Sequence, residues 1–320
     1  MKNIPTFVIF TLFAFLIASC QESEKSNLTL LSEEVPTGTT PLIFGEGVIS
    51  MGDTMDFAIT FSPEMDEIYF TRRAPGERNN IFTSKLVNGS WTVPKIAFLS
   101  SEETWEFEPH ISPKGDRLYF GSSRPINDSI KSPGLIQWYS QKKDNGWSEP
   151  IPMLKPKAPT YMMYLTSSES GNLYFTSEEE GGNPEDGGIY YSNFEDGEYG
   201  DIQRMREEIN SGKMIAHSYI APDESYMIFD GEKPSGFGDS DLYISFNKDG
   251  IWTKAYNLGQ SINTAQTEMA PSVSPDGKYL FFHRGFEIQG ENGDSEWLGN
   301  IYWVDFRTVK ETIERNISSN

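Results

Sequence analysis

The chain has 320 residues, of which 37% are hydrophobic and 13% aromatic, and its formal net charge is −21. This apolar content is enough to bury a large core, so the composition excludes a disordered chain. Because nucleic-acid phosphates repel so acidic a chain, nucleic-acid binding is excluded as well. The single Cys excludes an internal disulfide and any metal cluster built from cysteines.

The N-terminus carries an apolar run over residues 4–18, directly after Lys2 and Asn3. The run is shorter than the roughly 20 residues that span a membrane, which favours a signal-peptide core. Its end, Ile-Ala-Ser-Cys at 17–20, resembles a bacterial lipobox, which implies cleavage before Cys20 and acylation of its thiol. We predict a lipoprotein signal peptide at 1–19; the alternative is an ordinary signal or a buried helix with an incidental Cys.

The segment that follows, residues 20–40, is rich in Ser, Glu and Thr and poor in large apolar groups. Such a composition predicts a flexible tether between the lipidated Cys and a folded body at 41–312, with 313–320 as a tail. The lipid anchor would place the protein in the bacterial cell envelope, on the outer membrane. Both the periplasmic side and the cell-surface side of that membrane are alternatives.

A ten-residue pattern recurs five times in the body, starting at residues 61, 111, 166, 220 and 273. Each copy has a strand, a turn of the Ser-Pro-Asp-Gly type and a second strand that ends in aromatic or apolar residues, as in VSPDGKYLFF. Two more short strands follow in each period, and no convincing helix does. Four antiparallel strands per repeat are typical of a β-propeller blade.

The Ser-Pro-Asp-Gly turns, the Leu-Tyr-Phe endings and the Gly-x-Trp fourth strands resemble the WD40-like (PD40) repeats of TolB-type propellers. The resemblance covers residues 45–306 and implies an all-β propeller. Copy three lacks the turn Pro and copy four lacks the turn Gly. The resemblance to TolB implies a ring of six blades, whereas five repeats are visible in this sequence. We therefore predict five four-stranded blades, with six as the alternative.

The fifth copy has no recognisable fourth strand after residue 306. Residues 41–63, shifted by 212 positions, align with 253–275 without a gap, so that Gly47 falls on Gly259. We therefore predict that residues 42–49 supply the missing strand and close the ring, which leaves no exposed sheet edge.

Six residues before the turn Ser, the first strands carry Asp56, Glu106, Tyr161, Ile215 and Glu268. First strands line a propeller axis, so the three acids are expected at one end of the channel, on neighbouring blades. Basic residues follow the second strands at the same end: Arg72, Arg124 and Arg284. We predict structural acid–Arg pairs between neighbouring blades, which would keep the carboxyl pKa values low.

Two alternatives stay open for these acids. The arrangement resembles the axial acids of some five-bladed glycosidases, which implies a catalytic carboxylate cluster. Clustered carboxylates also suit a bound Ca²⁺.

The three histidines, His110, His217 and His283, faintly resemble the metal ligands of propeller lyases. Their positions in the repeats are not equivalent, so we expect packed or hydrogen-bonded side chains rather than a metal site.

Loops between second and third strands share the face that carries the acids. Three aromatic residues near them, Trp105, Phe237 and Trp297, together with the three arginines, form the predicted binding face.

No nucleophile elbow, phosphate-binding loop, dinucleotide fingerprint or His-Glu-x-x-His motif occurs in the chain. We therefore expect a non-enzymatic scaffold with a monomeric body and no cofactor, whose partner is an envelope protein or a glycan. The alternative is a carbohydrate-active enzyme, a glycosidase or lyase, that uses the axial acids. An enzyme needs unpaired acids in a deep opening, whereas a scaffold has them paired with Arg.

Overall fold

The computed structural model shows an all-β protein, as the sequence predicts. The residues it describes are 27–101, 103–127, 129–130, 134–156, 161–178, 187–234, 236–290 and 293–319. Among them, no helix has the length and apolar character required to cross a membrane.

The strands form five groups that follow the five sequence repeats; pairing within each group is antiparallel, and one parallel pair, Met55 with Gly299, joins the first group to the fifth in a single sheet. The chain starts with β1 (Leu42–Ile43). The first group contains β2 (Met55–Phe61), β3 (Glu67–Arg73), β4 (Asn80–Val87), β5 (Ser90–Trp91) and β6 (Lys95–Ile96). The second contains β7 (Glu106–Ile111), β8 (Arg117–Ser122), β9 (Ile136–Lys143), β10 (Gly146–Trp147) and β11 (Ile151–Pro152).

The other three groups repeat this order. The third contains β12 (Met163–Ser167), β13 (Leu173–Ser177), β14 (Gly188–Ser192), β15 (Phe194–Glu195), β16 (Glu198–Tyr199) and β17 (Gln203–Arg204). The fourth contains β18 (Lys213–Ile220), β19 (Tyr226–Glu232), β20 (Asp241–Lys248), β21 (Ile251–Trp252) and β22 (Tyr256–Asn257). The fifth contains β23 (Thr267–Val273), β24 (Tyr279–Gln289) and β25 (Ser295–Asp305).

The first strands of the five groups contact one another in the cyclic order β2, β7, β12, β18, β23 and back to β2. Between neighbouring groups, second-strand side chains are buried against the next group: Tyr69 packs in one cluster with Leu118, and Tyr119 with Leu165. Burial of an aromatic side chain of this size contributes about 1.5–3 kcal/mol. We call the end where the first strands begin (residues 55, 106, 163, 213 and 267) the start face, and the end with the Ser-Pro turns the turn face.

The turn between the first and second strands is held by a Ser hydroxyl. Ser274 Oγ accepts the backbone N–H five residues later at 3.0 Å, whereas Ser168 Oγ accepts the N–H four residues later at 3.1 Å. The third turn is therefore one residue shorter, and Ser168 rather than Ser167 occupies the turn position. As a correction to the sequence alignment, Met162 and not Tyr161 stands six residues before it.

The N-terminal strand β1 pairs antiparallel with β25. Just beyond it, Ser50 Oγ donates to Ile301 O at 3.2 Å and accepts the Ile301 N–H at 3.1 Å. In the first group, Ser100 Oγ makes the same two contacts with Ile81, at 3.4 and 2.8 Å. Residues 42–50 thus lie beside the fifth group where a fourth strand and its following loop lie in the first.

Both chain ends pack more closely than the sequence suggests. Asn27–Leu31, placed by the sequence in the tether, form one 3-10 turn in which Leu28 is fully buried. Trp91 Nε1 donates to Asn27 O at 3.0 Å, which fixes this turn on the first group. The packed body therefore begins by residue 27, not at 41.

The C-terminus ends in a helix, α2 (Phe306–Ser318), which follows the single-turn helix α1 (Glu207–Asn210). Phe306, Val309 and Ile313 form one apolar face and are buried against the fourth and fifth groups. The expectation of no convincing helix is wrong here, and Ile313 belongs to the core although the sequence places it in a tail.

Candidate functional site

The three predicted acids lie at the start face, and all are fully buried. Each forms an ion pair with the arginine of its own strand group: Arg72 Nε–Asp56 Oδ1 at 2.6 Å, Arg124 Nη2–Glu106 Oε1 at 3.1 Å and Arg284 Nε–Glu268 Oε1 at 2.8 Å. The pairs therefore lie within one group, and not between neighbouring ones as the sequence suggested.

The remaining acceptor positions of these carboxylates are also used by the protein. Glu106 accepts from the hydroxyls of Thr104 at 2.6 Å and Ser122 at 2.9 Å, and from the Ser101 N–H at 3.0 Å. Asp56 and Glu268 are each held by a Thr hydroxyl and a backbone N–H in the same manner. No acid of the three is left to act on a bound molecule without breaking these contacts.

The arginines connect each pair to the chain that enters the group. Arg72 donates to Ile49 O at 2.8 Å, and Arg284 donates to Ile262 O at 2.6 Å. The guanidinium also stacks on aromatic rings of its own group, with Arg284 4.6 Å from the Tyr302 ring centre. The pair thus fastens the incoming loop to the first two strands, which is a structural role.

Burial changes the expected ionisation of Asp56 and Glu268. It raises the pKa of Asp56, and Arg72 only partly opposes the shift. Burial likewise raises the pKa of Glu268, against the hydrogen bonds of Thr264 and the charge of Arg284. The prediction that the arginines keep the carboxyl pKa low is wrong for Asp56 and Glu268, because desolvation outweighs the ion pair.

The fourth group has a cation in the same place but no acid. Lys233 Nζ lies 5.5 Å from the Phe229 ring centre and donates to Ile209 O at 3.2 Å, while Ile215 occupies the acid position. Burial lowers the pKa of Lys233 to about 8, although Glu207 opposes the shift. Sequence analysis missed this residue, yet its spacing from the turn equals that of Arg124.

The predicted binding face is only partly available. Trp105 and Phe237 are exposed, whereas Trp297 packs on the central apolar cluster that contains Phe57 and Phe107. Within the described residues, no ring contact joins the three aromatics. The sequence predicts a loop between the second and third strands of each repeat, but in the fifth group β24 and β25 extend instead as a long hairpin.

A second set of residues lines the axis two positions after the acids. All have a positive φ, between 45° and 55°: Ala58, Glu108, Tyr164, His217 and Ala270. This left-handed geometry costs about 1–2 kcal/mol for a residue with a Cβ. The preceding group compensates by accepting the backbone N–H, as Thr71 Oγ1 does for Glu108 at 2.8 Å and Thr176 Oγ1 for His217 at 2.9 Å.

The third group solves the same problem differently. The second strand before it has Gly121 at the accepting position, which offers no side chain. The Glu108 carboxylate instead accepts the Tyr164 N–H at 2.6 Å. Glu108 therefore stitches two groups together and presents a carboxylate on the axis.

Glu108 belongs to a buried charged cluster. His217 Nδ1 lies 3.0 Å from the Asp230 carboxylate, and its Nε2 lies 3.5 Å from Glu108 Oε1. Burial alone would lower the pKa of His217, but Asp230 and Glu108 raise it to about 10. The imidazole is therefore a cation at neutral pH. The cluster was not predicted, because the repeats were compared only at the position six residues before the turn Ser, which carries the acids.

The other two histidines are neutral. Burial lowers the pKa of His110 to about 3 and that of His283 to about 4. His110 Nε2 accepts the Ser167 N–H at 3.0 Å, and His283 Nδ1 donates to Asp56 O at 2.8 Å. In the described part of the chain, no three His, Cys, Asp or Glu side chains are grouped to hold a metal ion.

A cavity lined by residues of all five groups opens at the turn face, opposite the predicted site. It is a cavity of about 280 Å³ bordered by four turn prolines: Pro63, Pro113, Pro222 and Pro275. Glu108, His110 and Ser272 contribute polar groups to an otherwise mainly apolar wall. Concave sites of this kind are common places for small molecules to bind.

Several known structures are similar to this chain at low sequence identity. No protein-family model and no curated protein matches the chain. TolB from Acinetobacter baumannii is 18% identical with a TM-score of 0.45; the match covers 78% of this chain but only 56% of the TolB chain. The GH62 α-L-arabinofuranosidase domain of Coprinopsis cinerea is 9% identical, with a TM-score of 0.47 over 79% of this chain and 90% of that one.

A third similar structure is the xylan β-1,4-xylosidase of Bacillus halodurans C-125. It is 12% identical, with a TM-score of 0.47 over 79% of this chain and 53% of that one. At these identities and TM-scores, no activity of those proteins is assigned to this chain.

Proposed function

We propose that this protein is a non-enzymatic binding scaffold of the bacterial cell envelope, with a five-bladed, TolB-like β-propeller as its body. Five strand groups in cyclic contact support the blade number. The pairing of β1 with β25 and the matching contacts of Ser50 and Ser100 support closure by the N-terminal strand.

The observation that carries the scaffold proposal is the state of the three axial acids. A glycosidase needs one carboxyl group that protonates the leaving group and another that attacks or activates water. Asp56, Glu106 and Glu268 are fully buried, and each is bound by an arginine and further donors. They hold the fold together, so they are unsuited to acid–base chemistry.

Lipidation of Cys20, which lies outside the described residues, would attach the body to a membrane. Six residues, 21–26, separate Cys20 from the packed turn at Asn27. At roughly 3.5 Å per residue, they reach about 25 Å at most. The body would therefore stay close to the membrane surface and select partners found there.

The partner we propose is an envelope protein or a glycan that contacts the start face. Trp105 and Phe237 are exposed there and could stack on a sugar ring or an apolar side chain. Among the residues that the structure describes, neither side chain belongs to a buried apolar cluster, so their replacement should not disturb the fold.

The test uses the detergent-solubilised, full-length protein. It is cross-linked to envelope fractions of the bacterium that encodes it, beside the Trp105→Ala and Phe237→Ala variants. We expect wild type to retain a partner that both variants lose. This loss should occur without a change in the melting temperature of the variants. In parallel, aryl α-L-arabinofuranosides and β-xylosides should not be hydrolysed. Turnover that Glu106→Gln abolishes at an unchanged melting temperature would contradict the proposal.

A further inference from the structure

The cavity at the turn face is separate from the proposed partner surface and has the size of a small ligand. At about 30 Å³ per water-sized group, its volume of about 280 Å³ holds roughly nine non-hydrogen atoms. It opens to solvent between the turn prolines and ends at Glu108 and Tyr164 on the axis.

Two polar groups on its wall have hydrogen-bonding capacity left over. Glu108 is buried; its Oε2 accepts the Tyr164 N–H and its Oε1 pairs with His217 Nε2 at 3.5 Å, which leaves carboxylate lone pairs that can accept a further hydrogen bond. Ser272 is only 8% exposed, and its hydroxyl has no hydrogen-bond partner among the described residues. A buried polar group left unpaired costs about 1–3 kcal/mol, which a bound molecule can recover.

The charge around the cavity is negative. Behind its inner wall, the carboxylates of Glu108 and Asp230 flank one imidazolium, His217, so this cluster carries one net negative charge. Glu169 adds an exposed carboxylate at the rim. Of the described residues that line the cavity, none is Lys or Arg, and His110 is neutral because its Nε2 accepts a backbone N–H.

We propose that this cavity binds a small organic cation, a protonated amine on an apolar body, whose ammonium group reaches Glu108. Phe61, Leu165 and Val273 supply apolar wall for the body of such a ligand. A metal ion is not proposed, because no three His, Cys, Asp or Glu side chains of the described residues are grouped to hold one. The proposal does not depend on the proposed scaffold function, which uses the opposite face.

Titration calorimetry of the full-length protein in non-ionic detergent tests the proposal with three ligands of nearly equal size. Benzylammonium should bind, benzyl alcohol should bind at least tenfold more weakly, and benzoate should not bind. Equal affinity for benzylammonium and benzyl alcohol, preference for benzoate, or no binding of benzylammonium at millimolar concentration would each overturn it.

Variants identify the group that holds the ammonium. Glu108→Gln should raise the dissociation constant of benzylammonium at least tenfold, because its amide oxygen still accepts the Tyr164 N–H but carries no charge. Glu207→Gln, which removes an exposed charge far along the chain, is the matched control and should change nothing. An unchanged dissociation constant in Glu108→Gln contradicts the proposal.

Loss of folding in Glu108→Gln does not remove the test. Glu169→Gln changes only an exposed rim residue and should weaken benzylammonium binding two- to threefold. The order of the three ligands on the wild-type protein still decides the outcome.

Discussion

A guanidinium at the start face does three things at once: it pairs with a buried acid, donates to the carbonyl of an incoming loop and covers aromatic rings. Arg284 shows all three, with Glu268, Ile262 O and the ring of Tyr302. Lysine cannot reproduce the planar, forked geometry that this requires. At the residue scale, these contacts support a structural role for the acids and arginines, and Glu108 is the group that we propose for a ligand.

Replacement of Glu106 by Gln tests this structural role. The substitution leaves Arg124 without its charged partner and replaces one acceptor oxygen by an NH₂ group beside the Ser101 N–H. Loss of such a buried pair costs about 3–5 kcal/mol. At ~2–4 °C per kcal/mol, the melting temperature should fall by roughly 6–20 °C.

Thermal melts with and without Ca²⁺ measure the effect. Ca²⁺ should not change the melting temperature of wild type or of Glu106→Gln. The exposed control Glu207→Gln should melt within a few degrees of wild type. The structural role of Glu106 would be contradicted if Glu106→Gln had an unchanged or higher melting temperature and lost a Ca²⁺ response that wild type shows.

The charge of His217 predicts a pH dependence. Its pKa is about 10 in the folded protein and 6.5 ordinarily, so the folded state holds the extra proton between these values. The ion pairs with Asp230 and Glu108 therefore stabilise fully below pH 6.5, and this contribution disappears as the pH rises through 10. Denaturant unfolding should show His217→Gln well below wild type at pH 6 and close to it above pH 10.

His110→Gln is the control with the opposite sign. Burial lowers the pKa of His110 to about 3, so the unfolded state binds the proton first as the pH falls below 6.5. Wild type should therefore lose stability relative to His110→Gln between pH 6.5 and pH 3. A difference between His217→Gln and wild type that is independent of pH would show that His217 is neutral.

The strand elements are so short that their neighbours decide their stability. β1 has two residues, yet the segment that follows it buries Phe44 and Ile49 completely against Phe281 and Trp303. It also covers the outer edge of β25, which would otherwise be open to pairing with another chain. At the element scale, the N-terminal segment therefore contributes core and edge protection together.

A chain that begins at residue 52 tests the closure. It lacks β1, Phe44, Ile49 and Ser50, and each large apolar side chain accounts for about 1.5–3 kcal/mol of burial. We expect a melting temperature well below that of a chain beginning at residue 27, a broader transition and a tendency to aggregate. Scanning calorimetry compares the two, and identical melts would refute closure by the N-terminal segment.

The whole molecule combines an acidic chain, a ring of five strand groups and an N-terminal segment for which the sequence predicts lipidation at Cys20. The net charge of −21 favours solubility and repels anionic surfaces, so electrostatics alone would not hold the body at a membrane. The proposed lipid at Cys20 would have to supply that attraction.

Fractionation of cells that express Cys20→Ala tests this anchor. Wild type should be processed and appear in the membrane fraction, whereas the variant should stay unprocessed or appear in the soluble envelope fraction. Ser19→Ala, which keeps the thiol, is the control and should behave as wild type. The anchor is wrong if Cys20→Ala is processed as fast and bound as firmly as wild type.

Much of the architecture is encoded locally, and so the sequence by itself determined it. The Ser-Pro turns, the alternation in the strands and the 212-residue match predict the all-β class, the strand groups and the partner of residues 42–49. The acids recur six residues before the turn Ser and an arginine follows each second strand, so acid–Arg pairs were predictable, but the sequence placed them between neighbouring groups and not within one. The helix α2 was not predicted, although Phe306, Val309 and Ile313 have the spacing of an amphipathic helix.

Only the tertiary structure decided which groups are free. The Glu108–His217–Asp230 cluster joins residues up to 122 positions apart, and it forms because a left-handed bulge directs each first strand's backbone toward the preceding group. The sequence gives no sign that Gly121 matters. Its effect is visible only in the structure, where the Tyr164 N–H needs an acceptor and Glu108 supplies it. The cavity likewise exists only where turns from different repeats converge, because no single segment encloses a volume on the axis of a ring.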